Sequence, residues 1–238
     1  MRRRNFRMIT DKKIAVIIPA YNEEESLPKV INDIPKFVDE IIVVNNGSTD
    51  RTVETAIKSG ATVLTENEKG YGAACLKGID YLQNRNFDVV VFLDGDYSDH
   101  PEEMNLVVDP ILNDDNDFVI GSRMMGKREK GALLPQAMFG NWLASLLIKL
   151  FWGYSFTDLG PFRAIKYSSL LQLKMSDRNF GWTVEMQIKA AKLKFKTNEV
   201  PVRYRKRIGQ SKVTGTIKGT VKASVKILYL IFSSLFRD

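Results

Sequence analysis

The sequence is poor in features that would place it in several common protein classes. Its single cysteine, Cys75, allows no internal disulfide, which fits a reducing compartment. No apolar run approaches the ~20 residues that a membrane-spanning helix needs. The apolar run at 14–20 follows a basic N-terminus, but it is short and leads into Tyr-Asn-Glu-Glu-Glu, so we expect no signal peptide.

Nucleotide-binding signatures of other enzyme families are missing as well. No Walker A motif is present, which argues against kinases and P-loop NTPases. Gly70 and Gly72 form a Gly-x-Gly pair that lacks the third glycine and the early position of a dinucleotide fingerprint, so a Rossmann oxidoreductase is not indicated. Neither internal repeats nor low-complexity linkers occur, and the length suits one substantial core.

The net charge of +7 is unevenly distributed. Residues 1–13 carry +5, residues 201–238 carry +8, and the body between them carries −6. An acidic body with basic ends argues against a general nucleic-acid-binding protein, and we expect no nucleic-acid partner. It favours a local surface for an anion, with lipid phosphate or an anionic membrane as the leading candidates.

Apolar runs that end in turn residues recur through the first half of the chain. The run Val-Val-Val-Phe at 89–92 is typical of a central strand that is buried on both faces. Similar strand patterns lie at 14–18, 41–44, 62–64 and 118–120. Helical segments separate these strands, which predicts an α/β fold with a mainly parallel sheet flanked by helices.

Three carboxylates follow the run at 89–92. Asp94, Asp96 and Asp99 lie within six residues, and acidic groups this close repel one another unless a cation lies among them. Hard oxygen ligands at the carboxyl end of a strand suit Mg²⁺ or Mn²⁺ that carries a substrate phosphate. The alternative interpretation is a solvated acidic turn.

Several motifs together resemble a known enzyme family. Ile-Ile-Pro-Ala-Tyr-Asn-Glu at 17–23, Val-Asn-Asn-Gly-Ser-Thr-Asp at 44–50 and Asp-Gly-Asp at 94–96 look like the inverting family 2 glycosyltransferases with the GT-A fold. Gly-Ser-Arg at 121–123 and Phe-Arg-Ala at 162–164 narrow the resemblance to the dolichyl-phosphate mannosyl- and glucosyltransferase branch. The resemblance extends from about residue 14 to 215, and it implies a GT-A catalytic domain at 14–213 after a basic tail at 1–13.

The resemblance implies a pocket for the nucleotide of a UDP- or GDP-linked hexose. By this resemblance, the nucleobase and ribose are held by Pro19, Ala20, Tyr21, Glu23 and Asp50. The alternative is that these residues form a strand-end turn and a helix cap.

The resemblance also implies that Asp94 and Asp96 hold the diphosphate and a Mg²⁺ or Mn²⁺ ion. Such an ion acts as a Lewis acid on the departing nucleoside diphosphate, which makes Asp96 a candidate catalytic residue. The mannosyltransferase pattern is one residue shorter before its His-Pro pair, here His100-Pro101. Asp99 is the natural third metal ligand in this longer loop.

Two further candidate catalytic residues belong to the acceptor side. Relatives in this family carry an acidic residue near the sugar at the position of Asp158. The resemblance implies that Asp158 serves as a general base for a hydroxyl acceptor, or holds sugar hydroxyls or neighbouring arginines when the acceptor is a phosphate. Arg123 is a candidate for binding the acceptor phosphate. Relatives place a second basic residue before the next helix, but Gln136 fills that space here. The identity of the acceptor therefore cannot be inferred from the family.

The basic segment at 200–212 is a candidate clamp for the donor diphosphate or an acceptor phosphate. Arg203, Arg207 and Lys212 are the residues assigned to it, because arginine and lysine fit phosphate oxygens. A solvated basic strand edge is the alternative interpretation.

The last segment, 214–238, is predicted to be an amphipathic helix. Its apolar stripe is flanked by Lys218, Lys222 and Lys226 at four-residue intervals, a pattern typical of a helix that lies on an anionic membrane surface. The helix at about 139–151 has a wide apolar face with the same two possible roles, packing or lipid contact. Packing of the terminal helix against the body or a partner is the alternative.

Together these features predict an inverting, metal-dependent glycosyltransferase that moves a hexose from a nucleotide sugar to a polyprenyl phosphate, at the cytoplasmic face of the membrane. Two alternatives remain open. One is a transferase of the same fold with a soluble sugar, glycan or small polar acceptor, in which Asp158 is an essential base. The other is a nucleotide-sugar-binding protein without turnover.

Overall fold

The computed structural model describes residues 11–209 and 217–236 and contains a seven-stranded sheet in the order β3-β2-β1-β4-β6-β5-β7. The strands are β1 (Ile14–Ala20), β2 (Glu40–Asn45), β3 (Thr62–Thr65), β4 (Val89–Phe92), β5 (Phe118–Ser122), β6 (Arg163–Lys166) and β7 (Thr197–Pro201). All neighbouring pairs are parallel except those that involve β6, which is antiparallel to both β4 and β5. The predicted α/β class with a mainly parallel sheet is therefore confirmed.

Helices connect the strands and cover the sheet. They are α1 (Leu27–Asp33), α2 (Thr52–Lys58), α3 (Tyr71–Leu82), α4 (Met104–Asn113), α5 (Pro135–Trp152), α6 (Tyr167–Leu173), α7 (Trp182–Lys192) and α8 (Ile217–Ser233), with a short 3₁₀ turn at Pro101–Glu103 before α4. Among the residues described, no helix combines the length and apolarity that crossing a bilayer requires.

Each face of the sheet has its own hydrophobic core, because successive side chains of a strand point to opposite faces. In β1, Ala15 and Ile17 belong to the core under α3, α5, α6, α7 and α8, whereas Ile14, Val16 and Ile18 belong to the core under α1, α2 and α4. β4, which lies between the two cores, is buried along its whole length. This double burial fixes the end of β4, and hence the start of the acidic loop.

Helix α8 packs on the body through one of its faces. Ile231 is fully buried, and Ile227 and Leu230 pack against the core shared with α5 and α7. Lys226 lies 2.8 Å from the buried carboxylate of Asp177. Lys226 therefore faces the body and not lipid, contrary to the prediction, while Lys222 is exposed. The side chain of Lys218 lies outside the described residues.

Candidate active site

A cavity of about 800 Å³ opens at the carboxyl ends of β1 and β4. Its walls come from the loop after β1, the start of α3, the acidic loop after β4, the segment 131–134, the first turns of α5, and residues 179–183. The basic residues Lys206 and Arg207 and the α8 residues Ala223 and Ile227 close the remaining side. This position, beyond the carboxyl ends of parallel strands, is where open α/β sheets bind ligands.

The end of β1 and the loop after it contribute four of the predicted nucleotide residues to the cavity. Pro19, Ala20, Tyr21 and Glu23 all line it. The Glu23 carboxylate accepts a 2.8 Å hydrogen bond from the Ser26 hydroxyl, which fixes the loop end.

Asp50 has a different placement. Its carboxylate accepts hydrogen bonds from the amide and hydroxyl of Thr52 and from the amide of Glu24. Burial would raise the pKa of Asp50, but these hydrogen bonds lower it below its usual value. Asp50 is not among the residues that line the cavity in the described chain. Asp50 thus connects the loop after β1 to the start of α2, and its role in the nucleotide pocket stays a prediction.

Asp94 and Asp96 lie at the cavity floor, directly after β4. The hydroxyl of Tyr71 donates to Asp94 at 3.0 Å, and burial together with the nearby Asp96 raises the pKa of Asp94 to about 6. Asp96 accepts from the amide and the hydroxyl of Ser98 at 2.9 and 2.5 Å. Two carboxylates are therefore held side by side in a poorly solvated position.

Asp99 is a buried carboxylate whose two oxygens have no hydrogen-bond partner among the described residues. Burial, reinforced by Asp94 and Asp96, raises its pKa well above the usual range. An uncompensated buried carboxylate beside two others fits a hard divalent cation in its chemistry. However, in the described part of the chain no three His, Cys, Asp or Glu side chains converge as a ready-made metal site. The predicted set of three aspartates is close together but not assembled.

Arg123 and Asp158 form a tight ion pair beside the cavity. The backbone amide, Nε and one terminal nitrogen of Arg123 donate to the two Asp158 oxygens at 2.7, 2.8 and 2.7 Å. Asp158 is fully buried, and its own amide donates to Glu199 at 3.2 Å. Arg123 lines the cavity, with its guanidinium 5.1 Å from the ring centre of Tyr204. Asp158 is therefore occupied in orienting Arg123.

The basic segment 203–208 runs antiparallel beside the acidic loop 96–103. Arg203 pairs with Glu103 at 2.5 Å and with Glu102, and it does not line the cavity in the described residues. Its predicted role on the donor diphosphate is therefore not supported by its position. Arg207 does line the cavity and lies 2.6 Å from Asp96. Lys212 lies outside the described residues.

Two residues that the sequence analysis did not single out also line the cavity. Tyr71 holds Asp94, and the ammonium of Lys69 lies 5.8 Å from the ring centre of Tyr21. Tyr71 is the first residue of α3 and Lys69 lies two residues before it, next to the Gly-x-Gly pair that was considered only as an incomplete dinucleotide motif. Their position at a helix N-terminus, directly after a strand and loop, was the available signal.

Helices α5 and α8 leave a continuous apolar surface exposed next to the cavity, which we call the apolar face. The rings of Phe151 and Phe232 lie 5.9 Å apart where the two helices meet. The exposed side chains of the face are Phe139, Trp142, Leu146 and Leu150 of α5, Val221, Val225, Tyr229 and Phe232 of α8, and Leu235 and Phe236 after it. An exposed apolar surface of this kind marks a site of contact with lipid or protein.

Comparison with known proteins defines the class to which this fold and site belong. The model of the family "Glycosyl transferase family 2" matches residues 15–171. The chain belongs to glycosyltransferase family 2.

Relatives of this chain narrow the resemblance within the family. A UDP-N-acetylglucosamine–dolichyl-phosphate N-acetylglucosaminyltransferase of Methanococcus voltae is 30% identical over 82% of this chain and 86% of its own length. An undecaprenyl-phosphate mannosyltransferase of Micrococcus luteus is 29% identical over 90% of this chain and 92% of its own length. Glycosyltransferase AglJ of Haloferax volcanii is 32% identical over 83% of this chain, which spans 64% of AglJ. These relatives support the polyprenyl-phosphate branch.

Solved structures support the GT-A fold. Glucosyl-3-phosphoglycerate synthase of Mycobacterium tuberculosis, in complex with Mn²⁺, UDP and glucosyl-3-phosphoglycerate, matches with a TM-score of 0.74. It is 22% identical, and the match covers 95% of this chain and 81% of that protein. At this identity the likeness concerns the fold.

Proposed function

We propose that this chain is an inverting, metal-dependent glycosyltransferase that moves a hexose from a UDP- or GDP-sugar to a polyprenyl phosphate. The observation that carries the proposal is the ion pair of Arg123 and Asp158. A transferase that uses a hydroxyl acceptor needs a free general base near the sugar, and here the candidate base is neutralised by an arginine. A phosphate acceptor is already an anion, so it needs a fixed cation and no strong base.

We assign binding of the donor to residues that line the cavity. Pro19, Ala20, Tyr21 and Glu23 would hold the nucleobase and ribose, and Lys69 lies next to Tyr21. Arg207, which also lines the cavity, would bind the diphosphate, because a guanidinium can bind two phosphate oxygens at once. The names of the relatives support a nucleotide sugar as donor.

Asp94, Asp96 and Asp99 would hold a Mg²⁺ or Mn²⁺ ion. When bound, such an ion supplies Lewis-acid stabilisation of negative charge on the leaving diphosphate. The chain keeps these carboxylates poorly solvated, and Tyr71 and Ser98 fix the orientation of Asp94 and Asp96.

The acceptor half centres on Arg123. Its guanidinium, held by Asp158 and packed near Tyr204, would bind the acceptor phosphate and keep one oxygen directed at the sugar. In the transfer, that oxygen forms a bond to the anomeric carbon while the bond from this carbon to the donor diphosphate breaks. Attack from the side opposite the leaving group inverts the anomeric configuration, and no proton needs to be removed from the acceptor.

The apolar face gives a membrane-borne acceptor a route to the cavity. We assign it to the lipid surface, because α5 and α8 each contribute both cavity-lining residues and exposed aromatic side chains. Exposed Lys222 lies on α8 beside this face and would meet anionic headgroups. The protein would then act as a peripheral enzyme at the cytoplasmic membrane face.

A donor and acceptor panel tests the proposal. The purified chain with Mn²⁺ is incubated with UDP- and GDP-hexoses, with and without a polyprenyl phosphate, and released nucleoside diphosphate and lipid-linked sugar are measured. We expect release that depends on the lipid, with one sugar found in the lipid fraction. Release of diphosphate that is indifferent to lipid would favour a soluble acceptor, and nucleotide binding without consumption of donor would favour a protein without turnover.

A further inference from the structure

The basic segment and the acidic loop are joined residue by residue in this structure. The amide of Arg205 donates to the carbonyl of Ser98, and the amide of Ile208 donates to the carbonyl of Asp96, both at 2.9 Å. Side chains follow the same register, because Arg203 pairs with Glu103 at one end and Arg207 with Asp96 at the other. The segment therefore holds Arg207 against the acidic cluster through its backbone as well as its charge.

Both carboxylate oxygens of Asp96 are occupied in this arrangement. Oδ1 accepts from Ser98, and Oδ2 lies 2.6 Å from the guanidinium of Arg207. A divalent cation and a guanidinium repel each other strongly when they share one carboxylate in a poorly solvated site. Asp96 can therefore ligate a metal fully only after Arg207 has left Oδ2.

Charge balance explains why Arg207 is there. Asp96 and Asp99 are buried, Asp94 beside them is half-buried, and the two carboxylate oxygens of Asp99 lack any hydrogen-bond partner in the described chain. Arg123, the neighbouring guanidinium, is committed to Asp158. Arg207 is thus the guanidinium that pairs directly with the cluster, through Asp96.

We propose that Arg207 is the counter-cation of the metal-free acidic cluster, and that a divalent metal ion displaces it and so frees it for the diphosphate of the donor. The inference rests on the metal and donor roles in the proposed function, and not on the identity of the acceptor. It makes the metal ion and the nucleotide bind cooperatively. The metal alone must break the pair of Arg207 and Asp96, whereas in the presence of a nucleoside diphosphate the displaced guanidinium gains a new anionic partner.

Binding of Mn²⁺ alone provides the test, measured by electron paramagnetic resonance of the free ion in the nucleotide-free protein. We expect Arg207→Gln to bind Mn²⁺ about tenfold more tightly than the unchanged chain, because the competing cation is gone. Arg207→Lys keeps the charge and should stay near the unchanged chain. Arg203→Gln is the matched control: it removes the same charge from the same segment at Glu102 and Glu103, and should leave the Mn²⁺ affinity unchanged within about twofold.

Two further measurements report whether the basic segment leaves the acidic loop. Adding Mn²⁺ alone should speed amide hydrogen exchange at Ile208, whose hydrogen bond to Asp96 is lost with Arg207. Adding UDP or GDP should tighten Mn²⁺ binding in the unchanged chain and much less in Arg207→Gln. Circular dichroism melting establishes that each variant is folded, and Arg207→Lys carries the exchange and nucleotide tests if Arg207→Gln does not fold.

Three results would overturn the inference. The first is that Arg207→Gln binds Mn²⁺ no more tightly than the unchanged chain. The second is that the Arg203→Gln control gains as much Mn²⁺ affinity as Arg207→Gln. The third is that neither the unchanged chain nor Arg207→Gln binds Mn²⁺. Failure of the inference is distinguishable from failure of the proposed function. A protein that makes lipid-linked sugar while Arg207→Gln shows no tighter Mn²⁺ binding refutes the inference alone, whereas the expected Mn²⁺ pattern without any sugar transfer refutes the proposed acceptor alone.

Discussion

Arg123 is bound to Asp158 by three hydrogen bonds, two from its side chain and one from its own backbone amide, all between 2.7 and 2.8 Å. Asp158 is fully buried, while Arg123 reaches the cavity. The acidic residue that could have been a general base therefore orients a cation. This pair decides between an anionic acceptor and a hydroxyl acceptor in the proposed function.

The first prediction separates these two roles of Asp158. Asp158→Asn should lower kcat/KM for the acceptor by about 10²-fold, mainly through KM, because Arg123 loses its orientation. The double variant with Arg123→Gln should be little worse than Arg123→Gln alone, since the two residues act as one unit. Steady-state kinetics as a function of pH provides the measurement. A collapse of kcat with loss of a basic limb in the pH profile would instead identify Asp158 as a base.

The second prediction concerns the acidic floor of the cavity. Asp96→Ala should abolish turnover, by at least about 10³-fold, because it removes a ligand and charge partner at the leaving group. The fold should survive, since the two cores do not include this side chain. Activity and thermal melting are compared with Asp115→Ala, an exposed aspartate that pairs with Lys166 away from the site. Near-normal activity of Asp96→Ala would refute the metal site.

The third prediction uses the unpartnered carboxylate of Asp99. Its pKa is raised in the folded protein, so the folded state holds a proton that the unfolded state has released, and the metal-free protein loses stability as the pH rises above the ordinary aspartate range. Asp99→Asn should therefore raise the melting temperature in EDTA at pH 8, by an amount equivalent to about 1 kcal/mol, and this gain should shrink as the pH falls.

Asp96→Asn is the control for this stability measurement. Asp96 already has Ser98 and Arg207 as partners, so the same substitution there should give no gain. A melting temperature of Asp99→Asn that equals or falls below that of the unchanged chain at pH 8 would show that the buried carboxylate is not destabilising.

The fourth prediction tests the apolar face. The double variant Phe139→Ser and Trp142→Ser should reduce flotation with vesicles that contain anionic lipid by about tenfold or more, because two exposed aromatic anchors are lost. Ile57→Ser, an equally exposed apolar position on α2, is the matched control and should float like the unchanged chain. If the unchanged chain itself remains in solution, the membrane assignment is wrong.

The sequence predicts strands β1, β2, β4 and β5 well, and strands β6 and β7 less well. Strands β1, β2, β4 and β5 are apolar runs buried on both faces, so their composition reveals them. Strand β6 is short and begins with Arg163, and the edge strand β7 contains polar residues and ends at Pro201, so neither has a clear strand pattern. The antiparallel insertion of β6 is set by packing between β4 and β5.

The sequence likewise predicts some parts of the candidate site and not others. The resemblance assigned the loop after β1 to the nucleotide and the carboxylates after β4 to its diphosphate, and the structure places both at the ends of adjacent parallel strands. Sequence alone gave Arg203 and Arg207 the same role, since both are arginines in one basic segment. Their partners separate them: Glu102 and Glu103 hold Arg203 outside the cavity, and Asp96 holds Arg207 within it. This pairing depends on how the basic segment aligns with the acidic loop, and the composition of the segment does not reveal that alignment.

The proposed acceptor is an anionic lipid, and a comparison of matched acceptors tests this assignment. The protein, Mn²⁺ and the donor selected by the panel are incubated with a polyprenyl phosphate, with the free polyprenol of the same chain length, or with phosphoglyceric acid, and glycosylated product is measured. We expect sugar transfer to the polyprenyl phosphate, with transfer to the polyprenol lower by at least about 10³-fold because no base is free to activate a hydroxyl. Comparable transfer to the polyprenol, or transfer to the soluble acid instead of the lipid, would contradict it.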